Sequence, residues 1–246
     1  MKRYLMKIAY DGTDFNGWQI QPNARTVQQT IEDALGKISK RKCAIVGSGR
    51  TDSGVHALGQ YAHFDFDIAM TEQQILLAVN SLLPRDIKIL YVEQVNEDFH
   101  ARYDAKERIY RFSISKNKTP FNARFSSYIP RAVWYEDKIN RCFEYFMGEH
   151  DFTSFSKYNP DLKHNRCIIK SLNFWQNDEE AIFEISANRF LHNMVRRIVG
   201  TLTNICITDS EPEIVKYLIE RENPTHKLIT TIPPQGLFLK DVIYPK

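Results

Sequence analysis

The chain has 246 residues, with 33 lysines and arginines against 30 aspartates and glutamates, which gives a formal net charge of +3. Apolar residues make up 43% of it and charged residues 26%, so its composition excludes disordered, collagen-like and coiled-coil classes. A charge of +3 also argues against a histone-like mode of nucleic-acid binding, which needs a large and uniform excess of cations. The sequence therefore predicts one large or two ordinary globular domains, and it leaves room for a localised basic surface.

The first residues and the cysteines indicate the compartment. Lys7 and Asp11 interrupt the apolar residues of the first segment, which argues against a signal peptide. No stretch of the sequence approaches the roughly 18–20 apolar residues of a membrane-spanning helix. The cysteines form no CxxC or CxxH pair, so we expect buried free thiols in a reducing cytoplasm and no metal site. These cysteines are Cys43, Cys142, Cys167 and Cys206.

Hydrophobic periodicity in the first half predicts the element order β-α-β-β-α-β. Residues 4–10 alternate between two faces, which is typical of a strand. Thr26 precedes Gln29 by three positions and stands before an apolar face, which predicts a capped helix. Thr71 begins a second helix that Pro84 ends. This order is the split unit of ferredoxin-like folds and predicts an antiparallel sheet with helices on one face. The remaining strands of this half are predicted at residues 43–46, 60–66 and 87–95.

The second half shows a similar order of elements with additions, although no residue-level repeat relates the two halves. We therefore expect an α+β fold with one domain over residues 1–104 and a second over residues 105–246, joined near residues 98–106. In the second domain, strands are predicted at residues 109–114, 168–175, 181–186 and 237–243, and helices at residues 137–147, 190–205 and 210–221.

The loop at residues 47–57 (GSGRTDSGVHA) is the densest group of glycine and polar residues in the chain. It fails as a dinucleotide fingerprint because Asp52 takes the place of the third glycine, and it is neither a P-loop, a nucleophile elbow nor a zinc deaminase signature. One reading is an Asx turn at Asp52 with Arg50 and His56 solvated. The other is a carboxylate that acts as nucleophile or base. The second reading needs an arginine within about 4–6 Å to keep the carboxylate ionised, and Arg50 and Arg196 are the candidates.

Basic residues are concentrated between residues 102 and 131, where they interleave with aromatic residues. Alternating cations and aromatics suit RNA, because phosphates take the charge and an unstacked base takes the ring. Phe112 is expected in the core, whereas the pattern does not decide the exposure of Tyr110. Arg196 and Arg197 add a second basic group, and a part-buried arginine is expected to have an acidic or phosphate partner. The cations of the first group are Arg102, Lys106, Arg108, Arg111, Lys116, Lys118, Arg124 and Arg131.

Several sequence blocks, spread in order along almost the whole chain, resemble the TruA-type tRNA pseudouridine synthases. They are residues 10–21 (YDGTDFNGWQIQ), 49–57 (GRTDSGVHA), 99–102 (FHAR), 108–110 (RIY), 148–152 (GEHDF), 190–196 (FLHNMVR) and 236–237 (GL). The resemblance implies two ferredoxin-like (RRM-like) halves whose antiparallel sheets meet at a central basic cleft. It also implies a homodimer that uses no metal or cofactor and converts uridine to pseudouridine at positions 38, 39 and 40 of the tRNA anticodon stem-loop.

The resemblance further implies roles for individual residues. Asp52 matches the family's catalytic aspartate, and Arg196 matches an arginine that pairs with it. Tyr110 matches a tyrosine that packs against the target base. Arg50 lies in the same block as Asp52 and is predicted to contact the substrate. Because the bond from uracil N1 to the ribose must break, the target uridine has to leave the helical stack.

Two other classes of function remain compatible with these residues. A non-catalytic RNA-binding protein would use the same basic and aromatic side chains to hold RNA unchanged. A base-releasing glycosidase would need a water activated beside Asp52 by a second carboxylate, and Asp65 and Asp67 are the nearest candidates.

Overall fold

The computed structural model describes residues 1–130, 132–160 and 162–245. Arg131, a member of the predicted basic group, lies outside the described residues. The chain divides into two compact units: unit 1 is Met1–Lys106 with Phe238–Lys246, and unit 2 is Glu107–Leu237. The described residues form ten strands and five helices, which makes the protein a mixed α/β chain.

The sheet of unit 1 is built around its long third strand. β1 (Lys2–Tyr10) lies between β3 (His56–Phe66) and β4 (Ile87–Val95) and is antiparallel to both. On its other side, β3 pairs antiparallel with β2 (Ile45–Gly47) and, nearer its start, parallel with β10 (Leu237–Ile243). The strand order is β4-β1-β3-β2. Tyr10, the last residue of β1, lies opposite Ala57, so the start of β3 and the loop before it lie at one end of the sheet.

Two helices cover unit 1, and both begin at the predicted caps. The backbone N–H of Gln29 donates to the Thr26 side chain at 3.4 Å before α1 (Val27–Ser39). Thr71 forms a full capping box with Gln74 before α2 (Glu72–Leu82). The predicted order β-α-β-β-α-β of this half is therefore confirmed. The helices bury apolar faces that include Ile31, Leu35, Ile75 and Val79.

The sheet of unit 2 is also mainly antiparallel. β5 (Glu107–Ser115) pairs with β9 (Glu180–Ala187), which pairs with β8 (Arg166–Gln176), which in turn pairs with β7 (Gly148–Asp151). A two-residue strand, β6 (Ser127–Tyr128), runs parallel to β5. The sequence indicated neither β6 nor β7, because strands this short show too little alternation to be recognised.

The helices of unit 2 are α3 (Glu136–Phe146), α4 (Met194–Ile207) and α5 (Ile214–Glu220). The prediction that α4 begins at residue 190 was wrong: Asn193 has φ 65° at the N-cap, so the helix cannot include the apolar residues before it. Likewise α5 begins at Ile214 and not at residue 210, after a turn in which Ile214 N–H donates to Glu211 O.

The last strand differs from the sequence-based division. That division placed all of residues 105–246 in one domain and expected antiparallel sheets. In the structure β10 runs parallel to β3, with Phe238 opposite His56 and Leu239 opposite Ala57, and Phe238–Lys246 therefore belongs to unit 1. The reason is that alternation tells which face of a strand is buried, whereas the partner strand is chosen by contacts distant in sequence.

Candidate active site

The loop that carries Asp52 joins β2 to β3, and a buried amide anchors its first residues. Ser48 N–H donates to Tyr61 O at 2.7 Å, and the Ser48 hydroxyl donates to Gln60 Oε1 at 2.6 Å. Gln60 Nε2 in turn donates to Gly49 O at 3.0 Å, and the Gln60 side chain is fully buried. β3 thus holds the loop in place on the side that precedes Asp52.

A second loop, residues 11–25, contacts the same loop on both sides of the candidate aspartate. Trp18 N–H donates to Thr51 O at 3.0 Å, immediately before that aspartate. Immediately after it, Phe15 O accepts hydrogen bonds from Ser53 Oγ at 3.2 Å and from Gly54 N–H at 3.4 Å. These bonds join two sequence blocks that were identified separately, residues 10–21 and 49–57.

Close backbone approach explains two glycines of residues 11–25. A Cβ atom at Gly17 would lie 2.6 Å from Thr51 O, and Gly17 also has φ +84°. A Cβ atom at Gly12 would lie only 1.9 Å from Val55 O. A side chain at either position would therefore push the two loops apart.

Buried polar side chains complete the contact between the loops. The Tyr10 hydroxyl lies 2.7 Å from Thr51 Oγ1. His56 Nδ1 accepts from Gly12 N–H at 3.0 Å and lies 3.2 Å from Asp11 Oδ1. One of the two readings of this loop had His56 solvated, and on this point that reading was wrong, because the residue is 1% exposed and is held within the loop contact.

Asp52 itself is half-buried, and its carbonyl oxygen accepts from Val55 N–H at 3.1 Å to close a turn. Arg50, two positions earlier, is exposed. With its neighbours bonded on both sides, Asp52 has a defined place at the end of the unit 1 sheet.

Tyr110 lies on β5 of unit 2, opposite Ile185 of β9. The residue is half-buried, and its ring meets the ring of Phe190 edge-on, with centroids 5.0 Å apart and planes at 83°. The alternation of residues in the sequence had not decided whether Tyr110 is exposed. Phe112, two positions along β5, is fully buried as expected.

Arg196 and Arg197 are neighbours on α4 with different partners. Arg196 donates from Nε to Ile232 O at 2.7 Å and from Nη1 to Asn193 Oδ1 at 2.8 Å. Arg197 donates from Nη1 to two carbonyl oxygens, Ser154 O at 3.2 Å and Ser156 O at 2.9 Å. The expected acidic or phosphate partner of a part-buried arginine is thus replaced, for Arg197, by backbone carbonyls and the Thr231 hydroxyl, which accepts from Nε at 3.2 Å. Burial lowers the pKa of the Arg197 guanidinium.

The structure therefore places the four predicted site residues in two groups. Asp52 and Arg50 share one loop of unit 1, and Tyr110 and Arg196 lie on β5 and α4 of unit 2. Sequence reasoning missed Gln60 and Tyr10, which hold the Asp52 loop from within the sheet.

The cysteines are buried free thiols, as predicted: Cys43, Cys142, Cys167 and Cys206. Burial raises the thiol pKa to about 11 for Cys43 and Cys167 and to about 12 for Cys142. These thiols would therefore be poor nucleophiles at neutral pH. Over residues 1–130, 132–160 and 162–245, no group of three or more His, Cys, Asp or Glu side chains is placed to hold a metal ion. Within the same ranges, every helix is too short or too polar to cross a membrane.

Comparison with known proteins identifies the family. A family model described as tRNA pseudouridine synthase matches residues 6–104 and 142–245, which is most of the sequence. The chain belongs to this family and is an isomerase that acts on tRNA.

Individual relatives match over the full length. The tRNA pseudouridine synthase A of Parabacteroides distasonis is 40% identical over 250 residues, covering 100% of this chain and 97% of that protein. The tRNA pseudouridine synthase A of Caldicellulosiruptor saccharolyticus is 41% identical over 247 residues, covering 99% of this chain and 100% of that protein. Among solved structures, an H/ACA ribonucleoprotein bound to a substrate RNA containing 2′-deoxyuridine aligns with a TM-score of 0.38 at 8% identity, over 95% of this chain and 56% of that one.

Proposed function

We propose that this protein isomerises uridine to pseudouridine at positions 38, 39 and 40 of the tRNA anticodon stem-loop, with Asp52 as catalytic nucleophile or base. The observation that carries the proposal is the bonding around Asp52: Thr51, Ser53 and Gly54 are all held by residues 15–18. A carboxylate whose neighbours are fixed in this way meets its substrate in one geometry, which is what a positioned catalytic group requires. Membership of the tRNA pseudouridine synthase family supports the reaction class.

The reaction rearranges one nucleoside without adding or removing atoms. The bond between uracil N1 and ribose C1′ breaks, a bond between uracil C5 and C1′ forms, the hydrogen on C5 leaves to solvent, and N1 takes up a proton. An ionised Asp52 has the lone pairs to attack the sugar or the ring, or to accept the C5 proton. The half-buried setting of Asp52 supports such contact, since the residue is neither sealed in the core nor fully solvated.

Tyr110 and Arg196 complete the proposed site. We propose that the Tyr110 ring, whose orientation is set by Phe190, packs against the extruded uracil and limits its rotation. Arg196 supplies the cation that keeps Asp52 ionised. Its bonds to Ile232 and Asn193 use two of the five guanidinium donors and fix the position of the group. Arg50 is exposed and contacts the RNA backbone.

The proposal extends to the architecture. The strand order β4-β1-β3-β2 and the element order of unit 1 support a ferredoxin-like half that carries the catalytic loop. We propose that a second such half completes a basic cleft for the tRNA, and that the protein is a cytoplasmic homodimer that needs no metal or cofactor.

The environments of Asp65 and Asp67 argue against a base-releasing glycosidase. Asp65 is bound by Arg3 through two hydrogen bonds of 2.8 and 2.9 Å. It lies near the far end of β3 from His56, a distance on the order of 30 Å along the strand. Asp67 lies just beyond that end and pairs with Arg41 at 3.3 Å. Neither carboxylate is placed to activate a water beside Asp52.

The direct test uses unmodified tRNA transcripts with a single uridine at position 38, 39 or 40 and cytidine at the other two. Wild-type protein is expected to form pseudouridine at each of the three positions, and Asp52→Ala at none. Binding of the transcripts without any isomer would identify a non-catalytic RNA-binding protein. Free uracil among the products would identify a glycosidase.

A further inference from the structure

Phe121 is 97% exposed on a tightly bonded loop of unit 2. The side chain of its neighbour Asn122 ties the loop together, since Nδ2 donates to Asn117 O at 2.8 Å and Oδ1 accepts from Thr119 N–H at 2.9 Å. Asn122 O also accepts from Phe125 N–H at 3.1 Å. A loop with a defined shape thus presents a large aromatic ring to solvent. An exposed ring contributes little to folding and indicates a site where another molecule binds.

The charge of the loop itself indicates the chemistry of the partner. It contains no acid, since no aspartate or glutamate occurs in the sequence between Glu107 and Glu136. The acids beside it are those of the turn from β8 to β9, where Glu179 O accepts from Lys116 N–H at 2.8 Å and Glu180 pairs with Arg111 at 3.6 Å. Lys118 is exposed three positions before Phe121, and Lys116 is half-buried at the start of the loop. An acid-free segment that combines cations with an exposed ring matches a polyanion with flat apolar faces, which is single-stranded RNA.

Phe121 and Tyr110 lie on different parts of unit 2, one on a loop and the other within a strand. Tyr110 lies within β5, which continues to Ser115 over roughly 17 Å, and Phe121 follows beyond the end of that strand.

We infer that Phe121 stacks on an unpaired base of the tRNA substrate outside the uridine being isomerised, while Lys116 and Lys118 neutralise neighbouring phosphates. The inference rests on the proposed function, since it assigns a second contact to the same RNA. The loop contributes to binding of the tRNA and leaves the chemical step to Asp52.

The test compares Phe121→Leu, Phe121→Tyr and Lys118→Gln in equilibrium binding of an unmodified tRNA transcript over a range of salt concentrations. Phe121→Leu keeps an apolar side chain but removes the ring, and it is expected to weaken binding by about five- to a hundredfold at every salt concentration. Phe121→Tyr keeps the ring and is expected to bind as the wild type does. Lys118→Gln is expected to reduce the slope of log K against log salt by roughly one, a change that Phe121→Leu does not make.

Tyr217→Leu is the matched control, because Tyr217 is also an exposed aromatic residue of unit 2, on α5, but the guanidinium of Arg221 already lies over its ring, 5.2 Å from the centroid. It is expected to leave tRNA binding unchanged. Equal binding by Phe121→Leu and wild type would overturn the inference. So would a shift of the monomer–dimer equilibrium in Phe121→Leu, measured by sedimentation without RNA, since it would show that a second copy of the chain covers Phe121.

Failure of the proposed function would give a different experimental result from failure of this inference. In that case wild-type protein would form no pseudouridine, whatever the binding of the Phe121 variants. If wild-type protein is active and Phe121→Leu matches it in both KM and binding, only the present inference fails.

Discussion

The hydroxyl of Tyr10 lies 2.7 Å from Oγ1 of Thr51, so the last residue of β1 is tied to the residue that immediately precedes Asp52. Both residues are buried, so the contact satisfies hydroxyl groups inside the protein. The central strand of unit 1 is thereby linked directly to the proposed catalytic loop.

Tyr10→Phe removes this link without changing the size of the ring. We expect the free energy of unfolding to fall by about 1–2 kcal/mol, because the Thr51 hydroxyl loses a buried partner. We also expect kcat to fall more than KM rises, because the loop positions a reacting group. Tyr4→Phe is the control, since Tyr4 is another buried tyrosine of β1 that stacks on Phe64. Equal kcat in the two variants would contradict a positioning role for Tyr10.

Gly17→Ala tests the close approach of the two loops. The added Cβ would meet Thr51 O at 2.6 Å in a backbone with φ +84°, so we expect a loss of about 1–3 kcal/mol in stability together with reduced kcat. Gly36→Ala places the same methyl group in the last turn of α1, where the nearest atom, Arg41 O, is 3.4 Å away. That substitution is expected to stabilise the protein by about 0.5–1 kcal/mol. Chemical denaturation measures the stability of both variants, and steady-state kinetics measure kcat. A Gly17→Ala protein as stable and active as wild type would refute the packing argument.

Arg196 and Arg197 offer a matched pair on one helix. Arg196→Gln is expected to lower kcat strongly, because we assign the ionisation of Asp52 to this guanidinium. Arg197→Gln is expected to act mainly on stability, with a loss of about 2 kcal/mol, because it breaks bonds to Ser154 O and Ser156 O. Steady-state kinetics and urea unfolding of both variants give the comparison. The assignment is contradicted if Arg197→Gln reduces kcat as much as Arg196→Gln does.

The lowered pKa of His63 predicts how the free energy of unfolding depends on pH. Burial, aided by the charge of Arg3, lowers the pKa of His63 from 6.5 to about 4 in the folded chain. Between these values the unfolded chain binds more protons at His63 than the native chain does, so the free energy of unfolding rises with pH in this window. The contribution is fully present above pH 6.5 and is lost as the pH falls towards 4, with a total of up to about 3 kcal/mol.

Urea unfolding between pH 4.5 and 7.5 checks this expectation. His63→Gln should show a smaller rise of unfolding free energy across the window than wild type. His164→Gln, which removes an exposed histidine, should retain the wild-type rise. An unchanged rise in His63→Gln would show that other groups cause the pH dependence.

Local signals in the sequence were sufficient to predict the positions of many helices and strands. Thr26 and Thr71 cap helices because the cap bond joins residues three positions apart, so the pattern contains both partners. The start of α4 was misplaced because Phe190 and Leu191 continue its apolar periodicity, whereas the left-handed backbone of Asn193 leaves no trace in that pattern.

The candidate site was predictable only in part. Asp52 was recognisable because its loop is rich in glycine and polar residues and resembles a family motif. The residues that hold the loop were not, since the contacts of Tyr10 with Thr51 and of Gln60 with Gly49 join positions distant in sequence. Gly12 and Gly17 are a signal for this contact that the sequence does contain, because two glycines close together in one loop indicate close backbone approach.

The most direct test of the central claim is release of hydrogen isotope from C5 of uridine in tRNA, since every turnover must break that C–H bond. Asp52→Asn, which keeps the shape of the side chain and removes its charge, is compared with Asp67→Asn, a carboxylate of the same unit paired on the surface with Arg41. The account predicts wild-type release from Asp67→Asn and loss of release by at least about a thousandfold in Asp52→Asn, with the folded state of both confirmed by their unfolding curves. Undiminished release from folded Asp52→Asn would contradict it.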